Sequence, residues 1–212
     1  MSQQPKGHKW FAAFWERMVR IESAKERRLR GDIAGGASGR TLEIGCGVGA
    51  NFPHYGDGIE SLAAGDPDPF MVERARRHAA DGGRPIDIQQ FPAEEIPFPD
   101  GSFDTVVSTL NMCTIGDLPR GLSEVKRVLK PGGQFRFFDH VRYSNALGAF
   151  AQDVITPVWR WIGAGCNPNR DIAAYVRDAG FQFERLDKTT VVPPIPPMIF
   201  ARPTIVGVAR PA

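Results

Sequence analysis

Residues 40–52 read R-T-L-E-I-G-C-G-V-G-A-N-F, a short apolar run that stops at glycines on every second position, Gly45, Gly47 and Gly49. The run from Arg40 to Ile44 is brief, partly β-branched and ends at glycine, which predicts a strand. Glycines at that spacing let the chain turn tightly and present its backbone N–H groups. Val48 to Tyr55 reads as the opening of a helix, kept short by Pro53. A strand, a glycine loop and a helix N-terminus form a nucleotide-sized cradle at the carboxyl edge of a sheet. The loop follows E-x-G-x-G-x-G from Glu43 to Gly49 rather than the dinucleotide fingerprint, which disfavours a nicotinamide-dependent oxidoreductase.

Working outward toward the C-terminus, Ser61 to Asp66 predicts a second strand that ends on a carboxylate. An acid about 20 residues beyond a glycine loop is placed to accept hydrogen bonds from two ribose hydroxyls. Its other possible task is to cap the helix that starts near Asp68. That helix, Pro69 to Ala79, carries Met71, which packs either on a purine or into the core. A third strand, Ile86 to Phe91, leads through Pro92-Ala93-Glu94 and a Pro-Asp-Gly turn to a fourth, Thr105 to Leu110. A helix from Asp117 to Leu129, N-capped by Asp117 and ended by Pro131-Gly132-Gly133, precedes a fifth strand, Gln134 to Phe138, which finishes at Asp139-His140.

Beyond that point Leu147, Phe150, Val154, Ile155, Val158, Trp159 and Ile162 share one face of a long helix with a kink expected at Pro157. That face is either core or one wall of an apolar acceptor pocket. A polar loop, Gly165 to Asp171, caps a helix from Ile172 to Ala179. Phe181 to Val191 and Met198 to Val208 read as closing strands, separated by the proline-rich stretch 193–197. Strands and helices that alternate at these lengths imply right-handed crossovers. The expected fold is α/β: a Rossmann-like, doubly wound, mostly parallel seven-stranded sheet with helices on both faces and an antiparallel last strand.

Toward the N-terminus, residues 1–9 read as frayed. A helix from Lys9 places Trp10, Phe11, Phe14, Trp15, Met18 and Ile21 on one face, and Lys25 to Arg30 continue it as a basic tail. Nine basic residues against four acidic ones through Arg40 leave the remainder slightly acidic. Gly31 to Gly39 reads as a flexible joint. Two units are therefore expected: 1–39, an amphipathic helix and linker, and 40–212, the catalytic domain. The first unit either packs over its own domain, lids an apolar pocket or lies on a membrane surface.

Composition bounds the possibilities. The chain has 212 residues, 42% hydrophobic and 24% charged, with a net charge of +2, enough for one α/β domain and too little charge to suggest a nucleic-acid partner. Three widely spaced cysteines, Cys46, Cys113 and Cys166, make neither a disulfide framework nor a zinc pair, which suits a reducing cytoplasm. No metal site, secretory signal or membrane-spanning run is expected, and no obligate protein partner is evident.

The stretch E-V-K-R-V-L-K-P-G-G-Q-F-R-F-F-D-H (124–140), together with Glu43 to Gly49, resembles the class I S-adenosylmethionine (SAM) methyltransferases. That resemblance implies SAM as cofactor, S-adenosylhomocysteine as product, and a SAM site built from Glu43, Gly45, Cys46, Gly47, Asn51, Asp66, Pro67, Met71, Ala93, Glu94, Thr109 and Leu110. Many relatives carry an acid where this chain has Pro92, which passes adenine recognition to the Ala93 backbone, Glu94 or apolar packing. KWFAAF (9–14), SAKERRLR (23–30), LEIGCGVGANF (42–52), DHV (139–141), GCNPNRD (165–171) and ARPTIVGVA (201–209) resemble the methyltransferase-like thiol S-methyltransferases and their bacterial relatives. Members of that group methylate small lipophilic thiols and associate with membranes through an apolar N-terminal segment. The resemblance thus implies a lipophilic acceptor, thiol first and a phosphatidylethanolamine-type lipid or quinone second. The expected location is cytoplasmic with peripheral contact at an inner membrane surface. A SAM-binding protein without transferase activity is the remaining alternative.

A sulfonium methyl is already activated, so the protein's task is to align the acceptor, and positioning supplies about 7–11 kcal/mol of such a barrier. His140 and Asp139, at the carboxyl end of the fifth strand, are the candidate catalytic pair: a base or acceptor-orienting group and its neighbour. Asn111 and Cys113 after the fourth strand, with Trp10, Phe14, Trp159 and Arg170, are the candidate acceptor contacts. No His–Asn partner pattern supports Cys113 as a nucleophile.

Overall fold

The computed structural model describes residues 7–191 and 198–212. Apolar runs of the length expected for buried strands give β1 (Gly39–Ile44), β2 (Ile59–Asp66), β3 (Ile86–Gln90), β4 (Phe103–Thr109) and β5 (Leu129–His140), all parallel. β6 (Phe181–Thr190) and β7 (Pro203–Pro211) close the sheet, and β7 runs antiparallel to both of its neighbours. The order is β3-β2-β1-β4-β5-β7-β6, the doubly wound seven-stranded arrangement that the alternation of elements implies. Chain order reverses between β1 and β4, so the carboxyl ends of these strands open a crevice at the switch point.

Helices cover both faces: α1 (Lys9–Arg20), α2 (Ala24–Gly35), α3 (Pro69–Gly82), α4 (Leu118–Val128), α5 (Ala146–Ile162) and α6 (Ile172–Asp178). Strand side chains alternate between two cores. Leu42, Val106, Phe135 and Phe137 pack with Leu122, Val125 and Ile172. Leu62, Ala64, Val107 and Phe138 pack on the other face with Ile33, Val72 and Ala75.

Several expectations change for identifiable reasons. The N-terminal helix is two helices, broken because Ser23 and Glu26 form a reciprocal capping box that starts α2. The anticipated joint at Gly31–Gly39 is helical to Gly35. Buried Arg136 of β5 donates to the Ile33 and Asp32 carbonyls at 2.9 and 2.8 Å, anchoring that end to the sheet. The helix expected over 48–55 shrinks to a 3-10 turn at Phe52–His54, with Pro53 inside it. Lys130 to Gly133 do not separate α4 from the fifth strand but form an irregularity within β5, where Phe103 pairs Leu129 and Thr105 pairs Gln134. Met198–Ala201 is a 3-10 turn before β7, and the stretch 193–197 lies outside the described residues. Among the described residues, no helix is long and apolar enough to cross a membrane.

Gly207 sits in the middle of β7, opposite Phe137, because a Cβ there would lie 2.4 Å from the Phe137 ring. Gly207→Ala overpacks this contact and is expected to cost about 1–3 kcal/mol, lowering Tm by roughly 3–10 °C in thermal unfolding followed by circular dichroism.

Candidate active site

The glycine loop owes its shape to three positive φ angles, +65° at Gly45, +54° at Gly47 and +84° at Gly49. At Gly45 a side chain is doubly excluded, because its Cβ would fall 2.1 Å from the Asn111 amide carbon. The Cys46 N–H donates to the Gly65 carbonyl at 3.0 Å, and the Gly47 N–H donates to Asp66 Oδ2 at 3.0 Å. Asp66 Oδ1 accepts from the Asp68 N–H at 2.9 Å. Capping of α3 falls to Asp68, whose carboxylate accepts from the Phe70 N–H and, across the fold, from the His8 N–H, each at 2.8 Å. Asp66 is thus aimed at the loop itself, and burial pushes its carboxyl up to about 6.

Behind the loop lies a buried polar network. Glu43 accepts hydrogen bonds from Asn51 Nδ2 and the Tyr55 hydroxyl, each at 2.8 Å. Arg30 of α2 donates to Asn51 Oδ1 at 2.9 Å, to Thr109 Oγ1 at 3.1 Å and to Glu22 at 2.6 Å. Asn51 also donates to Thr109 at 2.9 Å. Burial raises the Glu43 carboxyl to about 7 despite these donors. Glu43, Asn51 and Thr109 therefore support the loop from beneath. The network depends equally on Arg30 and Tyr55, which sequence reasoning missed, since Arg30 looks like one more charge in a basic run.

A cleft of about 220 Å³ opens beside the loop, lined by Gly45, Pro67, Pro92, Ala93, Glu94, Asn111, Thr114, Ile115 and Gly116. These residues come from the exits of β1, β2, β3 and β4, so five of the predicted site residues share one cavity. Glu94 accepts from the Asp117 N–H at 3.1 Å, which turns it toward the start of α4. Met71 is buried against Ala12 of α1 and Val48 of the loop and does not line the cleft.

Leu110, a non-glycine at φ +52°, reverses the chain after β4. The turn it begins is held by Asp139, whose Oδ2 accepts from the N–H groups of Asn111 at 2.9 Å and Cys113 at 3.4 Å. Asp139 Oδ1 accepts from the His140 N–H at 2.7 Å, and burial raises its carboxyl to about 6. Part of His140 reaches the surface, but its ring is shielded from water, which pushes the imidazole down to about 4, and it bonds to the Ala201 backbone. His140 Nδ1 is buried with no partner among the described residues.

Arg170 does not line the cleft: it donates to the carbonyls of Met112 and Ile115 at 2.7 and 2.6 Å and clamps the same turn. Trp159 packs with Cys113, Cys166 and Ala201. Buried Gln152 of α5, absent from the sequence-based candidates, donates to the carbonyls of Phe200 and Pro168 at 2.8 and 2.9 Å and accepts from the Tyr143 N–H at 2.7 Å. Trp10 and Phe14 are 62% and 48% exposed on α1, outside the cleft. On α5 the stripe Leu147, Phe150, Val154, Val158 and Ile162 faces outward, so it is neither core nor a wall of the cleft. The buried side of α5 carries Ala149, Gln152, Thr156 and Trp159 instead. Among the described residues, no group of three or more His, Cys, Asp or Glu side chains could hold a metal ion.

Residues 42–137 match the model of a methyltransferase domain. Human thiol S-methyltransferase TMT1B is 36% identical over 181 residues, spanning 81% of this chain and 72% of that protein. Phosphatidylethanolamine N-methyltransferase of Cereibacter sphaeroides is 32% identical over 120 residues, 56% of this chain and 59% of that one. The crystal structure of a candidate methyltransferase from Bacillus halodurans superimposes with a TM-score of 0.72 at 19% identity, covering 90% of this chain and 100% of the other.

The raised Glu43 carboxyl links this network to pH. Its folded value of about 7 lies above the ordinary 4.5, so the stabilisation it gives is complete below about 4.5 and is lost as pH rises through about 7. Glu43→Gln removes this titration. Chemical denaturation at a series of pH values should show the wild type losing on the order of 2–3 kcal/mol relative to the variant between pH 4.5 and 8.

Proposed function

We propose that this chain, which belongs to the class I SAM-dependent methyltransferases and is related to their thiol S-methyltransferase group, transfers the methyl group to the sulfur of a small lipophilic thiol. The observation that carries the thiol is the extent of the likeness to TMT1B, which runs over 181 residues and includes segments outside the cofactor half. Likeness to the phosphatidylethanolamine enzyme covers 120 residues and favours a lipid acceptor as the second reading.

The residues present fit SAM. Left-handed glycines keep the loop's face clear of side chains, and a carboxylate pinned by the Gly47 and Asp68 N–H groups keeps lone pairs for two ribose hydroxyls. Gly45, Cys46, Gly47 and Leu110 would lie at the amino-acid end and Pro67, Ala93 and Glu94 at the adenine, with Thr109 supporting the loop from beneath and Met71 packed behind it. Glu43 and Asn51 act as positioning residues. SAM bound there supplies a methyl group already activated by its sulfonium centre.

The acceptor side is the turn 111–115 with His140. The imidazole is neutral, and its buried, unpartnered Nδ1 would accept a hydrogen bond from a thiol that displaces the groups shielding it. Moving a proton from a thiol near ~8.5 to an imidazole near 4 is uphill by roughly 6 kcal/mol, so His140 orients the acceptor and bulk solvent takes the proton. Asp139 acts through the turn, fixing Asn111, Cys113 and the His140 backbone. The helix α1 covers the glycine loop, since it seats Ala12 on Val48 and Met71 and Glu16 on Arg74 and His78. Exposed Trp10 and Phe14 give that cover an apolar outer surface for a lipophilic acceptor or a peripheral membrane contact.

The deciding experiment is S-adenosylhomocysteine release with alkyl and aryl thiols, quinols and phosphatidylethanolamine. Turnover confined to thiols is the expected result, and turnover on lipid or quinol alone overturns the thiol assignment. Asp66→Asn should weaken SAM binding about 10–100-fold in calorimetry, since hydrogen bonds to a charged group are worth about 1.5–3 kcal/mol. In the wild type SAM affinity should fall as pH drops through about 6, where the carboxylate protonates. His140→Ala should lower kcat about 10–100-fold, the cost of one lost orienting hydrogen bond, with SAM affinity unchanged.

A further inference from the structure

Two thiols carry out no step of the methyl transfer proposed above, although one of them, Cys113, sits in the turn placed on the acceptor side. Cys113 lies in the turn after β4 and Cys166 in the α5–α6 loop, 53 residues away, and their Sγ atoms are 3.4 Å apart with the Cys166 thiol donating. The approach is built into the backbone. Asn167, next to Cys166, donates to the Cys113 carbonyl from both its N–H and its Nδ2, at 2.8 and 3.0 Å. Trp159 and Ala201 close over the pair. A disulfide has S–S near 2.05 Å, so the sulfurs need to close by only about 1.4 Å, within reach of side-chain torsions.

We infer that Cys113 and Cys166 form a reversible intramolecular disulfide by exchange with a small organic disulfide, joining the turn after β4 to the α5–α6 loop. Cys166, 7% exposed against 1% for Cys113, is the entry point. Its thiolate attacks one sulfur of the organic disulfide, that S–S bond breaks, and the first small thiol leaves. Cys113 then attacks the Cys166 sulfur and displaces the second small thiol. Two protein thiols are oxidised, one disulfide is reduced, and the two protein protons end on the two released thiols. The hydrogen bond it shares with Cys166, and then burial, hold the Cys113 thiol well above its ordinary range, so the pair rests reduced until an exchange partner arrives. The third cysteine, Cys46, lies in the glycine loop and takes no part. The assignment is independent of which acceptor is methylated.

The test incubates the full chain with bis(2-hydroxyethyl) disulfide, quenches with acid, and titrates and maps thiols after denaturation. Two of the three thiols should disappear, the intact mass should fall by two hydrogens, and a dithiothreitol-sensitive peptide should link Cys113 to Cys166. Cys113→Ser should trap a mixed disulfide on Cys166, whereas Cys166→Ser should leave Cys113 unmodified. Three free thiols, an unresolved mixed disulfide on the wild type, or a link through Cys46 overturns the proposal. If either serine variant fails to fold, the wild-type peptide map still decides.

Discussion

A guanidinium shut away from water holds the glycine loop in place. Arg30 reaches from α2 to Asn51 and Thr109, and through Asn51 to Glu43, so one cation joins the N-terminal segment, the loop, β1 and β4. Its charge is met by Glu22 at 2.6 Å. Breaking such a buried pair from one side costs about 3–5 kcal/mol, far more than an exposed pair, because the remaining charge is left unpaired in low dielectric. The N-terminal helices are therefore structurally continuous with the glycine loop.

The turn after β4 follows the same principle with different groups. Strands satisfy their own backbone, but the turns between them do not, and buried side chains must supply the missing partners. Asp139 accepts from the turn after β4, Arg170 donates to its carbonyls, and Gln152 joins α5 to the segments around 141, 168 and 200. Irregular chain from three parts of the sequence becomes one wall. His140 is tied to that wall by its own N–H on Asp139, and its Nδ1 is buried without a partner among the described residues.

Much of the scaffold was legible from local pattern. The E-x-G-x-G-x-G loop, the carboxylate ending β2 and the Asp117 cap each depend on residues within one turn or strand of each other, where spacing carries the information. Gly45, Ala93, Glu94 and Asn111 met in one cleft because parallel strands bring their carboxyl ends to one edge. The α5 stripe misled because 3.6-residue periodicity shows that a helix has an apolar face but not that the face is buried. The break at Ser23 was readable as a capping box but was masked by the basic run around it.

The sequence alone determined the α/β fold, the glycine cradle and the class of cofactor, since these depend on periodicity, turn chemistry and contiguous motifs. Tertiary structure decided which polar residues work together: Arg30 with Thr109, 79 positions apart, and Cys113 with Cys166, 53 apart. It also turned Arg170 from a candidate acceptor contact into a clamp and left His140 Nδ1 buried without a partner among the described residues. The physical reason is that a buried polar group takes whichever partner packing brings within reach, and separation along the chain does not encode that distance.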